Sequence, residues 1–221
     1  MTPSKSLTLA EELMLIALDD ERGTMMHLPP FTLELAIAAS LIMELTLIGR
    51  VDTDAERLTL LSGAPTGNAI LDEALAMIAA DTVPHPTSDW LNRLSAPDTD
   101  WRDRLILGLV ERGVLKSVEK KLLWVFKTRV YPPTSGIEES EVKSRIMTLL
   151  NNDDIPDAKD ALLIGLLRAT NIMAQLLSDS EHHRLNARIT QIANLEEISR
   201  SLTQTIMDVQ ILLATANFGM R

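Results

Sequence analysis

Eight cations, Arg102, Arg104, Arg112, Lys116, Lys120, Lys121, Lys127 and Arg129, fall between Trp101 and Tyr131, where only Asp103, Glu111 and Glu119 oppose them. That stretch carries a net +5 inside a 221-residue chain of formal charge −10, so the remainder stands at −15. Four of the seven aromatic residues, Trp101, Trp124, Phe126 and Tyr131, share it. Cations interleaved with aromatics suit a layer of negative headgroups over hydrocarbon, because lysine and arginine keep their charge in water while their stems and the neighbouring rings take the apolar side. The structural alternative is that Trp124 and Phe126 pack beneath a hairpin whose lysines guard an exposed strand edge.

Other chemistry is sparsely provided for. The absence of cysteine removes thiol nucleophiles, thiolate zinc sites and disulfides, and fits a reducing compartment. His182 and His183 follow Glu181, but neighbours on a helix point about 100° apart and no histidine or carboxylate stands at i+4 on the same face. Gly63-Ala64-Pro65-Thr66-Gly67-Asn68 lacks the Gly-Lys-Ser/Thr of a phosphate loop and reads as a turn with a helix cap. Asp153-Asp154 and Asp157 with Asp160 lack calcium-loop spacing and read as a solvated helix start. No Gly-x-Ser-x-Gly elbow occurs. The sequence predicts no enzyme, no cofactor and no metal.

The elements that must carry the basic stretch are mostly helical. With 46% hydrophobic and only 3% aromatic residues, aliphatic side chains and ten methionines have to fill the interior, which favours packed helices. Thr8-Leu9-Ala10-Glu11 is a capping-box pattern opening a helix to about Asp19. After Pro29-Pro30 a second helix runs from Phe31 to about Ile48, uncharged from Leu35 to Met43 and so expected at the centre of the core. Further helices are predicted at about 66–81, 88–95, 100–113, 140–151, 157–178, 182–194 and 197–216, the last four forming a bundle. The longest charge-free run, Leu58 to Leu71, is too short and too broken by Gly63-Ala64-Pro65 to cross a bilayer, and Glu11 and Glu12 sit where the apolar part of a secretory signal would lie.

Two stretches break the helical pattern in parallel. Gly49-Arg50-Val51 is followed by Arg57-Leu58-Thr59-Leu60, and Gly113-Val114-Leu115 by Lys121-Leu122-Leu123-Trp124. Each reads as a helix closed by glycine, then a strand, a polar turn and a returning strand, either as an internal repeat or as two helices that each feed a hairpin. In the second, alternation from Leu122 to Val130 puts apolar residues on both faces near the tip, so some should be exposed and mark an interaction surface.

The order of these motifs resembles the Golgi phosphoprotein 3 family. The matching stretches are Leu7-Thr8-Leu9-Ala10-Glu11-Glu12, Glu44-Leu45-Thr46-Leu47-Ile48-Gly49-Arg50, Pro65-Thr66-Gly67-Asn68 running into Leu71-Asp72-Glu73-Ala74-Leu75, Arg102-Asp103-Arg104, Leu109-Val110-Glu111-Arg112-Gly113-Val114-Leu115, and Glu119-Lys120-Lys121 leading into Leu122 to Pro132. The resemblance implies a single, mainly α domain over 1–221, a helical bundle with one protruding β-hairpin at about 114–131, and it leaves a second, shorter hairpin as a candidate. It also implies a peripheral membrane protein that recognises phosphatidylinositol 4-phosphate in a basic pocket and retains glycosyltransferases by their cytoplasmic tails. Of the pocket positions only Arg102 keeps the family's residue type, while Thr99, Pro29 and Ala38 stand where two arginines and a tryptophan are expected.

The expectation is therefore a cytoplasmic, peripherally membrane-associated adaptor. Arg102, Arg104, Lys120 and Lys121 would meet an anionic lipid, with a phosphoinositide as the family's candidate but weak or absent selectivity for the 4-phosphate. Leu122, Leu123, Trp124, Val125 and Phe126 would enter the membrane or bind a second subunit or protein cargo. One rival is a protein-interaction scaffold that uses the Met- and Leu-rich C-terminal helices as a groove. Another is a winged-helix nucleic-acid binder over Leu105 to Lys127, disfavoured by an apolar recognition helix and an acidic body.

Overall fold

The computed structural model describes residues 6–18, 23–53, 57–122 and 126–194 together with Ile211 and Thr215; residues 120–122 and 126–128 are described by their backbone. Among the described residues the chain is mainly α, with two antiparallel two-stranded hairpins.

Helix α1 (Leu9–Ile16) opens with the expected box: Thr8 accepts from the Glu11 amide, and Glu11 reaches back to the Thr8 amide. It ends a turn earlier than its apolar spacing suggested. Helix α2 (Thr32–Leu47) is buried at every position from Leu35 to Met43, as an uncharged helix in the middle of a core must be. It begins under strain, because Phe31 sits in the left-handed region at φ 62°, where a bulky side chain is disfavoured. After the first hairpin, β1 (Val51–Thr53) with β2 (Leu58–Leu60), come α3 (Ala69–Ala80), α4 (Thr87–Leu94), a 3-10 turn at Pro97–Thr99, and α5 (Trp101–Glu111). Asn68 caps α3 by accepting from Ile70 and Leu71, so the glycine-rich loop ends in a helix cap as its sequence implied.

The second hairpin departs from expectation. The strands are β3 (Val118–Leu122) and β4 (Phe126–Val130), paired Val118 with Val130 through Leu122 with Phe126. Val118-Glu119-Lys120, part of the stretch between Leu115 and Lys121 that reads as a polar turn, belong to the outgoing strand, whose last described residue, Leu122, pairs with Phe126. Leu123, Trp124 and Val125 lie outside the described residues. Alternation through Leu122 to Val130 as one strand is thereby corrected to a ladder with two compositions. Residues 118, 120, 122, 126, 128 and 130 fall on one face, and Glu119, Lys121, Lys127 and Arg129 on the other.

The two helix-to-hairpin junctions are alike in detail. Gly49 and Gly113, at φ +65° and +75°, donate to Thr46 and Val110, while Arg50 and Val114 donate back to Leu45 and Leu109 at 2.8 and 2.9 Å. Both are Schellman caps, for which the left-handed glycine is required. The return strands differ: Val51 pairs with Leu60, but Leu115 bridges Pro133 rather than meeting residues near Trp124. The likeness between the two stretches covers the departure from the helix and not the way back.

The base of the second hairpin is held by Gly23. Tyr131 donates to the Gly23 carbonyl at 2.7 Å, and a Cβ on Gly23 would stand 2.3 Å from the Pro132 nitrogen. Beyond that base the described residues of the two strands pair with each other.

The C-terminal half corrects two helix boundaries and one helix. Helix α6 (Ile137–Asn151) begins three residues early, after left-handed Gly136. Helix α9 (Asp179–Ala193) also starts early, because Ser178 and Glu181 form a second capping box. The single helix expected over 157–178 is two, α7 (Ala158–Ala169) and α8 (Ile172–Leu176). The Thr170 hydroxyl donates back to Leu166 at 2.8 Å and Asn171 turns left-handed at φ 61°, which ends α7. Asp157 caps α7 by accepting from the Asp160 amide. The helix expected at 197–216 falls mostly outside the described residues; Ile211 and Thr215 are helical. Helix α7 is buried from Asp160 to Leu167 and joins α1, α2, α4, α5 and α9 in one continuous apolar cluster. The aliphatic residues of α7 fill this core rather than line an open groove.

Candidate functional site

Two arginines two positions apart on a helix leave it about 200° apart, so Arg102 and Arg104 face different surroundings. Arg104 turns toward α3, donates to Glu73 at 2.6 Å and lies 4.9 Å over the Trp101 ring. Trp101 is itself 3% exposed, with its indole N–H donating to the Leu94 carbonyl at 2.8 Å. Arg104 and Trp101 thus join α3, α4 and α5. Arg112, at the other end of α5, donates to Glu11 at 2.8 Å.

Arg102 turns outward into a cleft of about 310 Å³ between the starts of α2 and α5. Its apolar walls are Phe31, Ile37, Leu94, Ala96, Pro97 and Trp101, and its charged rim is Glu34, Asp100, Asp103 and Arg102. Both N-cap residues at this cleft, Phe31 and Asp100, are left-handed, and neither side chain caps its helix. Two of the three non-glycine residues with positive φ among those described therefore border one cleft, the kind of stored strain that gathers at binding sites. The Arg102 guanidinium is shared: Nε lies 3.2 Å from Asp103 Oδ1, and Nη1 lies 3.9 Å from Glu34 Oε1 on the opposite wall. Thr99 lines the same cleft, Ala38 is fully buried inside α2, and Pro29 is exposed beside its start. Phe31, Glu34 and Asp100 were missed in the sequence; an aromatic after Pro29-Pro30 with an acid three residues on was the available signal.

Lys120 and Lys121 lie on β3, at the far end of α5 from Arg102, a separation of about 16 Å along that helix alone. The structure places the four cations in three surroundings: Arg102 in the cleft, Arg104 against Glu73, and the lysines on the hairpin. Leu122 and Phe126 form the last described rung before the tip. The register sets Glu119 opposite Arg129 and Lys121 opposite Lys127, and with Lys116 and Lys120 the hairpin carries five cations against Glu119. Like charges placed directly across a ladder repel.

A second charged constellation is internal. Glu12, 6% exposed, accepts from Arg145 at 2.7 Å and from Lys159 at 2.9 Å, and Arg145 also donates to Asp160 at 2.6 Å. Lys159 donates as well to the Leu7 carbonyl. Glu44 accepts from the Leu9 amide at 2.7 Å, and burial raises its pKa above 4.5 despite that bond and the nearby Lys159. Burial also raises the Asp160 carboxyl, against the pull of Arg145. These groups tie α1 to α2, α6 and α7. Among the described residues, no group of three or more His, Asp or Glu side chains is placed to hold a metal ion, and no helix is long and apolar enough to cross a membrane.

The motif residues Glu11, Asn68, Glu73, Arg104 and Arg112 thus cap or join α1, α3 and α5. The family model described as Golgi phosphoprotein 3 matches residues 9–209. The chain belongs to the Golgi phosphoprotein 3 family. Among its relatives, vacuolar protein sorting-associated protein 74 of Eremothecium gossypii is 29% identical over 170 residues, covering 67% of this chain and 50% of the relative. The protein of the same name from Schizosaccharomyces pombe is 27% identical over 188 residues, covering 73% and 55%. The chain spans about half the length of the curated relatives it matches. In this family member Thr8 with Glu11, Asn68, and Arg104 with Glu73 serve the fold through caps and an ion pair.

Proposed function

We propose that this Golgi phosphoprotein 3 family member is a non-enzymatic peripheral membrane adaptor on the cytoplasmic face of a Golgi-type membrane, held there chiefly by the β3–β4 hairpin. The observation that carries the reading is the register of Lys121 opposite Lys127, with Lys116, Lys120 and Arg129 on the same hairpin. Such a ladder is relieved by a layer of negative charge, and each lysine near an anionic bilayer contributes about 1 kcal/mol of attraction. Leu123, Trp124 and Val125 stand between β3 and β4 in the sequence, and in this reading these apolar residues reach past the headgroups.

Arg102 contributes an individual charge at the cleft, and Arg104, bonded to Glu73, contributes field rather than direct contact. Selectivity for phosphatidylinositol 4-phosphate is weak in this reading, since Thr99, Pro29 and Ala38 replace cations and a ring that would bind it. Sorting of protein cargo, suggested by the names of the relatives, would use the membrane-attached form.

Vesicle sedimentation tests the reading. Phosphatidylserine-containing vesicles should recover the protein at low salt, phosphatidylcholine vesicles should not, and Lys120→Ser with Lys121→Ser should abolish the difference. Equal recovery on both would overturn it. If Leu123→Asp with Trp124→Asp leaves attachment intact but dissociates an oligomer in sedimentation velocity, the tip is a subunit contact instead.

A further inference from the structure

The cleft at Arg102 holds one cation beneath three carboxylates, and they are not equivalent. Asp103 neighbours Arg102 on the same helix and its side chain is 69% exposed, so water screens it. Glu34 comes from the opposite wall, on the first turn of α2, and its side chain is 35% exposed. It faces Arg102 Nη1 at 3.9 Å, too far for a hydrogen bond and close enough to be an ion pair. With Asp103 on Nε and Glu34 beside Nη1, two edges of the guanidinium fork are engaged by the protein's own carboxylates. A phosphomonoester carries between one and a half and two negative charges near neutral pH and binds arginine best by two parallel N–H bonds. To reach Arg102 it would have to settle against Glu34.

We propose that Glu34 is the specificity-determining residue of this cleft: it occupies Arg102 from across the mouth and makes the site reject a phosphomonoester dianion, so that neutralising it opens the site to that ligand. This deepens the membrane reading, since it says which headgroups the protein ignores while attached through its hairpin. The cleft is otherwise suited to a small ligand, with apolar walls, the exposed ring of Phe31 at its edge and a single arginine among its lining residues.

The test compares wild type, Glu34→Gln, Asp103→Asn and Glu34→Gln with Arg102→Ala. Sedimentation uses phosphatidylcholine vesicles doped with phosphatidylserine, with phosphatidylinositol, or with phosphatidylinositol 4-phosphate, and glycerol 3-phosphate is titrated in solution by calorimetry. Glu34→Gln should bind the 4-phosphate vesicles and glycerol 3-phosphate roughly tenfold more tightly than wild type, with phosphatidylserine recovery unchanged. Asp103→Asn should gain less, and Arg102→Ala should cancel the gain.

No gain in Glu34→Gln, in a variant whose thermal melt matches wild type, overturns the proposal even where every variant sediments with phosphatidylserine. An equal gain in Asp103→Asn overturns it too, because the effect would then be general charge. Absence of phosphatidylserine binding in wild type and all three variants would sink the membrane reading alone, and the glycerol 3-phosphate titration would still decide the role of Glu34. A gain with glycerol 3-phosphate but not on vesicles would assign the site to a free phosphate ester.

Discussion

Arg112 Nη1 donates to Glu11 Oε1 at 2.8 Å, joining residues 101 positions apart in sequence and closing the end of α5 onto the first turn of α1. Glu11 is 9% exposed at its side chain and also completes the capping box with Thr8. One cation of the basic stretch is therefore engaged by the fold and withdrawn from any external partner.

Arg112→Ala should lower stability by about 2 kcal/mol, because a buried carboxylate loses its partner. Chemical denaturation reads this directly, and vesicle recovery of the folded variant should match wild type. A variant that keeps wild-type stability would show that water replaces the guanidinium at no cost.

Arg145 bridges Glu12 and Asp160 through two different nitrogens of one planar group. A lysine cannot reproduce that fork. Arg145→Ala should cost about 3 kcal/mol and Arg145→Lys at least half as much, measured as a shift of the urea midpoint at unchanged slope. Full rescue by lysine would show that charge alone is needed there.

Glu44 predicts a pH effect whose sign follows from its raised pKa. The folded protein holds this proton more tightly than the unfolded chain does. The contribution is therefore most favourable below about 4.5 and is lost as pH rises through the folded value. Glu44→Gln keeps an oxygen for the Leu9 amide and does not titrate. It should equal or exceed wild type in stability at pH 7, with the advantage shrinking toward pH 4. A Glu44→Gln variant that is markedly less stable at pH 7 would show that the ionised form is needed, through Lys159.

Lys121→Thr should raise stability by up to about 0.5 kcal/mol, since it removes one member of a like-charged cross-strand pair and adds a β-branched residue. It should also weaken attachment to phosphatidylserine vesicles roughly fivefold, with a shallower dependence on salt. Opposite signs for stability and attachment are the signature of a charge kept for contact. A loss of both would assign Lys121 to the fold.

Where local chemistry set the structure, the residues announced it: Thr8 with Glu11, the uncharged run from Leu35 to Met43, and the glycines at 49 and 113. The Ser178 and Glu181 box is equally visible in the sequence and opens α9 three residues before the expected start at 182. Other features arise from long-range packing. Thr170 and Asn171 fit a helical pattern until one side chain bonds backward and the next residue turns left-handed. The polar run Lys116 to Lys120 reads as a turn, whereas Leu123-Trp124-Val125 holds none of the glycine, asparagine or proline that mark one, so nothing local places Val118 to Lys120 on a strand. Arg102 was identifiable as a candidate from its charged neighbourhood, but its partner across the cleft, Glu34, belongs to a different helix far earlier in the chain. Only folding brings the two together.

Gly23 has a mechanical consequence. The hairpin is rooted where Tyr131 and Pro132 press against a residue that has no side chain, and its strands then run about 17 Å outward. Any substituent at position 23 would have to push Pro132 at the root of those strands, and their setting against the body would shift with it. If the hairpin attaches the protein to a membrane as proposed, the inclination of that contact would depend on an atom Gly23 lacks.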